Sequence, residues 1–220
     1  MIAVMKVVES QLATMLAMQD ATNSVIDRDW RDKNREWYRA IFVECAEMMD
    51  HIGWKWWKDI AADMTQARIE IVDIFHFGLS SMLGQNVRAD ELARVFVDEL
   101  SVTNSCPEHI LIGCESMAEA TLHCPRYFAL EEFINLMNLA GMDMTMLFKL
   151  YVSKNVLNNF RQSHGYKEGT YIKEWHGEED NIHLERLMST LDSSQPDFAS
   201  LVLSGLEDKY AEVVAGDFCA

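Results

Sequence analysis

Proline and glycine are scarce in this 220-residue chain, at 3 and 10 residues. That scarcity excludes a collagen-like, low-complexity or loop-dominated protein. Basic residues are also few: 19 Lys and Arg stand against 35 Asp and Glu, for a formal net charge of −16. A nucleic-acid polymer or an anionic membrane would be repelled by such a surface, so neither is expected as the main partner. Small polyanions remain possible where divalent cations reverse the local field. No apolar run approaches the roughly 20 residues that span a bilayer. The first twenty residues are broken by Lys6, Glu9 and Gln11 and lack a small-residue cleavage site, so a signal peptide is not expected. Cysteine is present but odd in number (Cys45, Cys106, Cys114, Cys124, Cys219). In a chain long enough to bury a core without staples, these read as reduced thiols of a cytoplasmic protein.

What is abundant is helical periodicity. Met5, Val8, Leu12, Met15 and Leu16 recur at three- and four-residue steps and predict an amphipathic helix over 4–19. A polar segment, Asp20 to Asn34, is expected to separate it from a second helix over 35–51, closed by Gly53 as a C-cap. A third helix is expected from Thr65 as N-cap to Leu83, ended by Gly84, and a fourth opens at Asp90. Pro107 and Pro125 bracket a less regular middle, 102–126, and 128–163 reads as one or two helices. Residues 164–181 hold three of the ten glycines with alternating charges and aromatics, and no helical stripe. A connection of that length is expected to be functional. The helical tail 183–214 is interrupted by Ser193-Ser194-Gln195-Pro196. No run alternates with period two for long enough to demand a sheet, and no repeat or linker is visible. The expectation is a single all-α domain, 1–220.

Two acidic pairs carry chemistry. Glu44 and Glu47 in the second helix, and Glu70 and Asp73 in the third, are each spaced i, i+3, which puts both members on one helix face. Ile41, Phe42, Val43, Met48 and Met49 flank the first pair, and Ile69, Ile71, Val72, Ile74, Phe75 and Phe77 the second. Such flanks predict that both faces point into the bundle. Four carboxylates meeting there cannot all stay ionised without compensating cations, and an all-oxygen set suits Mg²⁺ or Mn²⁺. Di-iron bundles want Glu-x-x-His, and the positions three after Glu44 and Glu70 are not His.

Basic groups concentrate late in the chain. Lys154, Asn158 and Arg161 fall at i, i+4 and i+7, and Lys167 and Lys173 follow. An ammonium, an amide and a guanidinium on one stripe suit a chain of phosphates, although an ordinary charged surface has the same pattern. Gly165 and Gly169 would let backbone come close to a ligand. Gln19 and Asn23 could read a base edge or simply serve as turn and cap residues. Trp54, Trp56 and Trp57 could stack on a base, or fill core. Cys106, His109, Cys114, His123 and Cys124 lack the paired spacing of a structural zinc site, and His51, His76 and His164 read as core or surface histidines.

Taken together, the segments 19–23, 44–58, 68–77 and 154–181 resemble the dimeric, all-α dUTPases of the all-α NTP pyrophosphatase superfamily. The two acidic pairs alone would indicate the superfamily, whereas 154–181 points to the dUTPase branch. The stretch 84–150 carries no motif, and Gln19 stands where the family has Asn before the Asp. The resemblance implies a helical bundle of that type with an ordered functional loop near 164–181. It further implies hydrolysis of dUTP, and of dUDP as a second substrate, to dUMP by a metal-activated water, in a cytoplasmic homodimer. Glu44, Glu47, Glu70 and Asp73 would hold Mg²⁺, or Mn²⁺ in its place, with Glu44 or Glu47 as general base. Lys154, Arg161 and Lys173, with Tyr166 and Lys167, would bind phosphates. Gln19, Asn23, Trp57, Asn158 and Asn181 would meet the nucleoside. The rivals are a pyrophosphatase of dCTP or other noncanonical nucleotides, and a Met-rich helical interaction protein without enzymatic activity.

Overall fold

Helical hydrogen bonding satisfies most of the backbone. The computed structural model describes residues 2–193, 195 and 197–217, without the side chains of 216 and 217. It is 72% helical, with nine α-helices and almost no strand among the described residues, as an all-α reading requires. The chain forms two compact units, Met1–Phe148 and Lys149–Ala220.

In the first unit, α1 (Ile2–Ile26), α2 (Trp37–Ile52), α3 (Met64–Gly84), α4 (Ala89–Glu99), α5 (Pro107–His123) and α6 (Leu130–Leu139) surround one apolar core. The α2 and α3 pair is the most extensive helix contact, α1 lies against α3 and α4, and α5 lies against α2 and α6. Leu12, Met15, Met48, Ile71, Phe75, Phe96 and Phe133 are wholly buried. Phe75 stacks on Phe133 with ring centres 4.8 Å apart and meets Phe96 edge-on at 6.0 Å, an arrangement that favours the ring quadrupoles.

Several expected boundaries move. The first helix does not stop at 19 but runs to Ile26, followed by a 3₁₀ turn, Trp30–Lys33. Gln19, Thr22 and Asn23 are buried, so tertiary packing overrides the weak helix preference of Thr22 and Asn23. The N-cap of α3 is Asp63, whose carboxylate accepts from the Thr65 and Gln66 amides, rather than Thr65. Gly84 is the last residue of that helix. Gly53 does cap α2: its φ of +75° is left-handed, which only glycine adopts without strain, and its N–H reaches Asp50 O at 3.3 Å. The irregular middle holds the regular helix α5, with Pro107 in its first turn where no amide is required. The tryptophans of the connector are not core: Trp54, Trp56 and Trp57 are 42%, 88% and 54% exposed.

The second unit contains most of α7 (Met144–Ser163), then α8 (Asp180–Thr190) and α9 (Phe198–Asp217). Residues 164–181 are ordered turns. They include a two-residue antiparallel ribbon of β1 (Glu174–Trp175) and β2 (Glu178–Glu179), and α8 claims their last two residues. Trp175 is fully buried among Phe160, His183 and Tyr210. Gly165, at φ +86°, lets the chain fold back so that Thr170 N donates to Gly165 O at 2.9 Å. Of the interruption expected at 193–196, positions 194 and 196 lie outside the described residues, as does Cys219.

Candidate active site

The α2 and α3 pair brings the acidic residues together. Glu44, Glu47 and Glu70 each offer a carboxylate oxygen, and the three lie within 4.8 Å of one another. Glu70 is buried at 5% exposure, Glu44 is half-buried and Glu47 is exposed, so the cluster has a closed floor and an open rim. Phe42 and Val43 are exposed, so the first acidic pair sits at the edge of the apolar interior, not within it. Asp73, one turn beyond Glu70, acts on the same group. Burial first, then the charges of Asp73, Glu70 and Glu47, push the Glu44 carboxyl up to about 9. Four carboxylates so placed are mutually destabilising by themselves. Their all-oxygen donor set fits a hard divalent cation and suits iron or zinc poorly.

His51 joins this site although its sequence position suggested an ordinary histidine. Its Nε2 lies 3.4 Å from Glu70 Oε1, and the hydrogen bond to Glu70 raises its pKa against the opposing effect of burial. The signal was present: Glu44, Glu47 and His51 follow an i, i+3, i+7 stripe on one face of α2.

Further along α3 the surface changes from charge to amides. Ser80 lies ten residues past Glu70, about 15 Å along the helix axis. Gln19 Nε2 donates to Ser80 Oγ at 3.0 Å and to Asn23 Oδ1 at 3.0 Å, while Asn23 Nδ2 donates to Ser80 Oγ at 2.9 Å. Gln19 Oε1 lies 2.8 Å from His76 Nδ1. All four residues are buried, with Gln19 and Asn23 at 5% and 6% exposure. These amides are therefore inside a folded helix pair and oriented by partners, not loose turn residues. Trp57 lies apart from them on the exposed connector, edge-on to both Trp54 and Trp56.

The second unit gathers the basic stripe. Arg161 donates from Nε to Asp180 Oδ2 at 2.8 Å and from Nη2 to Asp180 Oδ1 at 2.7 Å, and its Nη1 donates to Asn158 Oδ1 at 3.3 Å. Lys154 is buried and donates to Asn181 Oδ1 at 3.0 Å. Tyr171 donates its hydroxyl to Asp180 Oδ2 at 2.7 Å. Burial alone would raise the Asp180 carboxyl, but Arg161, Tyr171 and Lys154 outweigh it and hold the group below the usual range. Burial and the Asp180 charge push the Tyr171 phenol upward. Tyr166 is exposed with its ring 5.9 Å from the Arg161 guanidinium carbon, Lys167 is exposed, and Lys173 pairs with Glu179 at 3.1 Å on the surface. No local sequence pattern marks Asp180 or Tyr171. Asp180 lies 19 residues from its partner Arg161, and Tyr171 nine residues from its partner Asp180, beyond any helical spacing rule.

A family model described as dUTPase matches residues 11–166, more than two-thirds of the chain. The chain belongs to the all-α dUTPase family. The dUTPase match contains all four carboxylates, Gln19, Asn23, Trp57, Lys154, Asn158, Arg161 and Tyr166, and it spans the stretch 84–150 that carried no motif. Lys167, Lys173, Asp180 and Asn181 lie beyond it. No curated protein matches the chain. Zinc has no support among the described residues: Cys114 is buried and donates to Cys45 O at 3.1 Å, while His109, His123 and Cys124 are exposed. Among the described residues no helix is long and apolar enough to cross a membrane.

Proposed function

We propose that this dUTPase-family protein hydrolyses dUTP to dUMP and pyrophosphate, with Mg²⁺ as cofactor and Mn²⁺ as a substitute. dUDP would be a second substrate, giving dUMP and phosphate. The observation that carries the reading is the meeting of Glu44, Glu47 and Glu70 within 4.8 Å, in a chain that belongs to this family.

Glu44, Glu47, Glu70 and Asp73 would hold the cation. When bound there it supplies charge neutralisation for the phosphates and acidifies a water. Glu44, the half-buried member, is the carboxylate we assign to take the proton from the attacking water, with Glu47 as the other candidate. Lys154, Arg161 and Lys173, with Tyr166 and Lys167, take the phosphates and stabilise charge on the departing pyrophosphate. Gln19, Asn23, Trp57, Asn158 and Asn181 meet the nucleoside. Selection of uracil over cytosine follows from oriented amides, because cytosine reverses the donor and acceptor order of the base edge. A homodimer in the cytoplasm completes the reading, and the four described cysteines, all free, support a reducing compartment.

The test is pyrophosphate release from dUTP, dCTP, dTTP and UTP in parallel, with and without Mg²⁺. Cation-dependent release from dUTP above the others is expected. Preference for dCTP would move the protein to the neighbouring pyrophosphatases, and no release from any nucleotide would remove the enzymatic reading.

A further inference from the structure

The first turn of α8 holds both cations of the α7 stripe. Asp180 is completely buried and takes the Nε and Nη2 edge of Arg161, the fork that best matches a carboxylate. Tyr171 fixes the same carboxylate from the other side at 2.7 Å. Asn181, the next residue, accepts from Lys154 at 3.0 Å and from Arg161 Nη2 at 3.5 Å. Lys154 and Arg161 are seven residues apart on α7, two turns, or about 10 Å along the axis. Their head groups are therefore tied to neighbouring residues of a different helix.

This arrangement limits how Arg161 can meet a phosphate. The guanidinium has two bidentate edges and one is occupied by Asp180. The opposite nitrogen, Nη1, donates to the neutral amide oxygen of Asn158 at the longer distance of 3.3 Å, a bond that an anionic oxygen would displace. Resting on the proposed phosphate role of Arg161, we infer that Asp180 is a positioning residue that clamps the Arg161 guanidinium and turns its Nη1 end toward substrate phosphate. Asp180 does not itself touch the nucleotide. The clamp also lowers the entropy lost when the long side chain binds its anion. A purely structural alternative exists, since an acidic residue in the first turn favours any helix.

A double-mutant cycle separates the two. Wild type, Asp180→Asn, Arg161→Ala and the double variant are compared for KM and kcat on dUTP, for inhibition by inorganic pyrophosphate, and for melting temperature. Asp180→Asn keeps a polar group at the start of α8 but cannot accept from both guanidinium nitrogens. It is expected to raise the dUTP KM and the pyrophosphate inhibition constant by roughly 10- to 100-fold. In the Arg161→Ala background the same change should alter either quantity by no more than about twofold, because the clamped group is gone. Asp180→Glu keeps the charge, guards against a folding failure of the amide, and should give an intermediate loss. The inference is overturned if wild type turns over dUTP while Asp180→Asn stays within about twofold of it, or if the two losses multiply in the double variant. Should wild type hydrolyse no nucleotide, the functional reading fails separately. Calorimetric titration of inorganic pyrophosphate into the same four proteins then decides the role of Asp180: coupled losses support it, while independent losses or none overturn it.

Discussion

The two units solve opposite electrostatic problems. The first brings Glu44, Glu47 and Glu70 within 4.8 Å, with His51 against Glu70, and burial together with the neighbouring negative charges pushes the Glu44 carboxyl up to about 9. The second collects cations but gives the deepest ones partners within the same unit: Asp180 for Arg161 and Asn181 for Lys154. Carboxylates that raise one another in this way mark a candidate functional site. In the second, a carboxylate holds the Arg161 guanidinium and a neutral amide the Lys154 ammonium, both from the start of α8. On the proposed reading, the acidic cluster would take a divalent cation and the basic groups the phosphates, in a chain of net charge −16.

The largest effect should come from the acidic side. Glu47→Gln and Asp73→Asn each remove one negative charge without changing shape. Turnover of dUTP at saturating Mg²⁺ should fall on the order of 10³-fold or more in both, as for loss of a group that stabilises the transition state. Helix content by circular dichroism should stay unchanged in both, and melting of Glu47→Gln without added metal should not fall, because like-charge repulsion on Glu44 is relieved. Full activity in either variant would detach that residue from the site.

Next in size is the amide network. Ser80→Ala deletes the acceptor shared by Gln19 and Asn23, leaving two buried amides to reorient, at a cost of about 1–3 kcal/mol. Urea denaturation should register that loss. On the proposed reading, the ratio of dUTP to dCTP turnover should also fall by roughly tenfold, more through KM than kcat. An unchanged ratio with the expected loss of stability would confine the network to folding.

The acidic pairs were legible because they obey a helical period. Glu44, Glu47, Glu70 and Asp73 needed only the i, i+3 rule and apolar neighbours to be placed on facing helices. The amides were legible as residue types but not as a location, since nothing local to Gln19 or Asn23 shows that Ser80, 57 residues beyond Asn23, holds them inside a helix. Asp180 escaped for the same reason, its value lying in a partner on another helix. For the tryptophan connector the sequence leaves core and base stacking both open, because large aromatics usually fill cores, and here Trp54, Trp56 and Trp57 are turned outward.

The contrast also predicts opposite responses to pH in metal-free protein. Glu44 binds its proton more tightly in the folded chain than in the unfolded one, where its value is the ordinary 4.5. Its contribution to stability is present below 4.5 and is lost as pH climbs toward about 9. Asp180 is held low, so its contribution is present above the ordinary carboxylate range and lost as pH falls below it. Melting of the chelated protein should therefore decline toward alkaline pH in wild type and decline less in Glu44→Gln. Asp180→Asn should flatten only the acid limb. Identical profiles for all three would dissolve the distinction.

The smallest effect sharpens the comparison inside the second unit itself. Lys173 and Glu179 form an ion pair at 3.1 Å, the same charges as Arg161 and Asp180, but with side chains 48% and 52% exposed instead of 11% and 0%. Water and salt screen such a pair, and holding two mobile side chains together offsets what attraction is left. Glu179→Ala should change stability by less than about 0.5 kcal/mol. If Lys173 serves phosphate, the same change releases it from its acidic neighbour, so KM for dUTP should hold or decrease at low ionic strength. A rise in KM comparable to that of Asp180→Asn would mean that exposed pairing orients cations as well as buried pairing does. Burial would then no longer explain why Arg161, and not Lys173, is clamped.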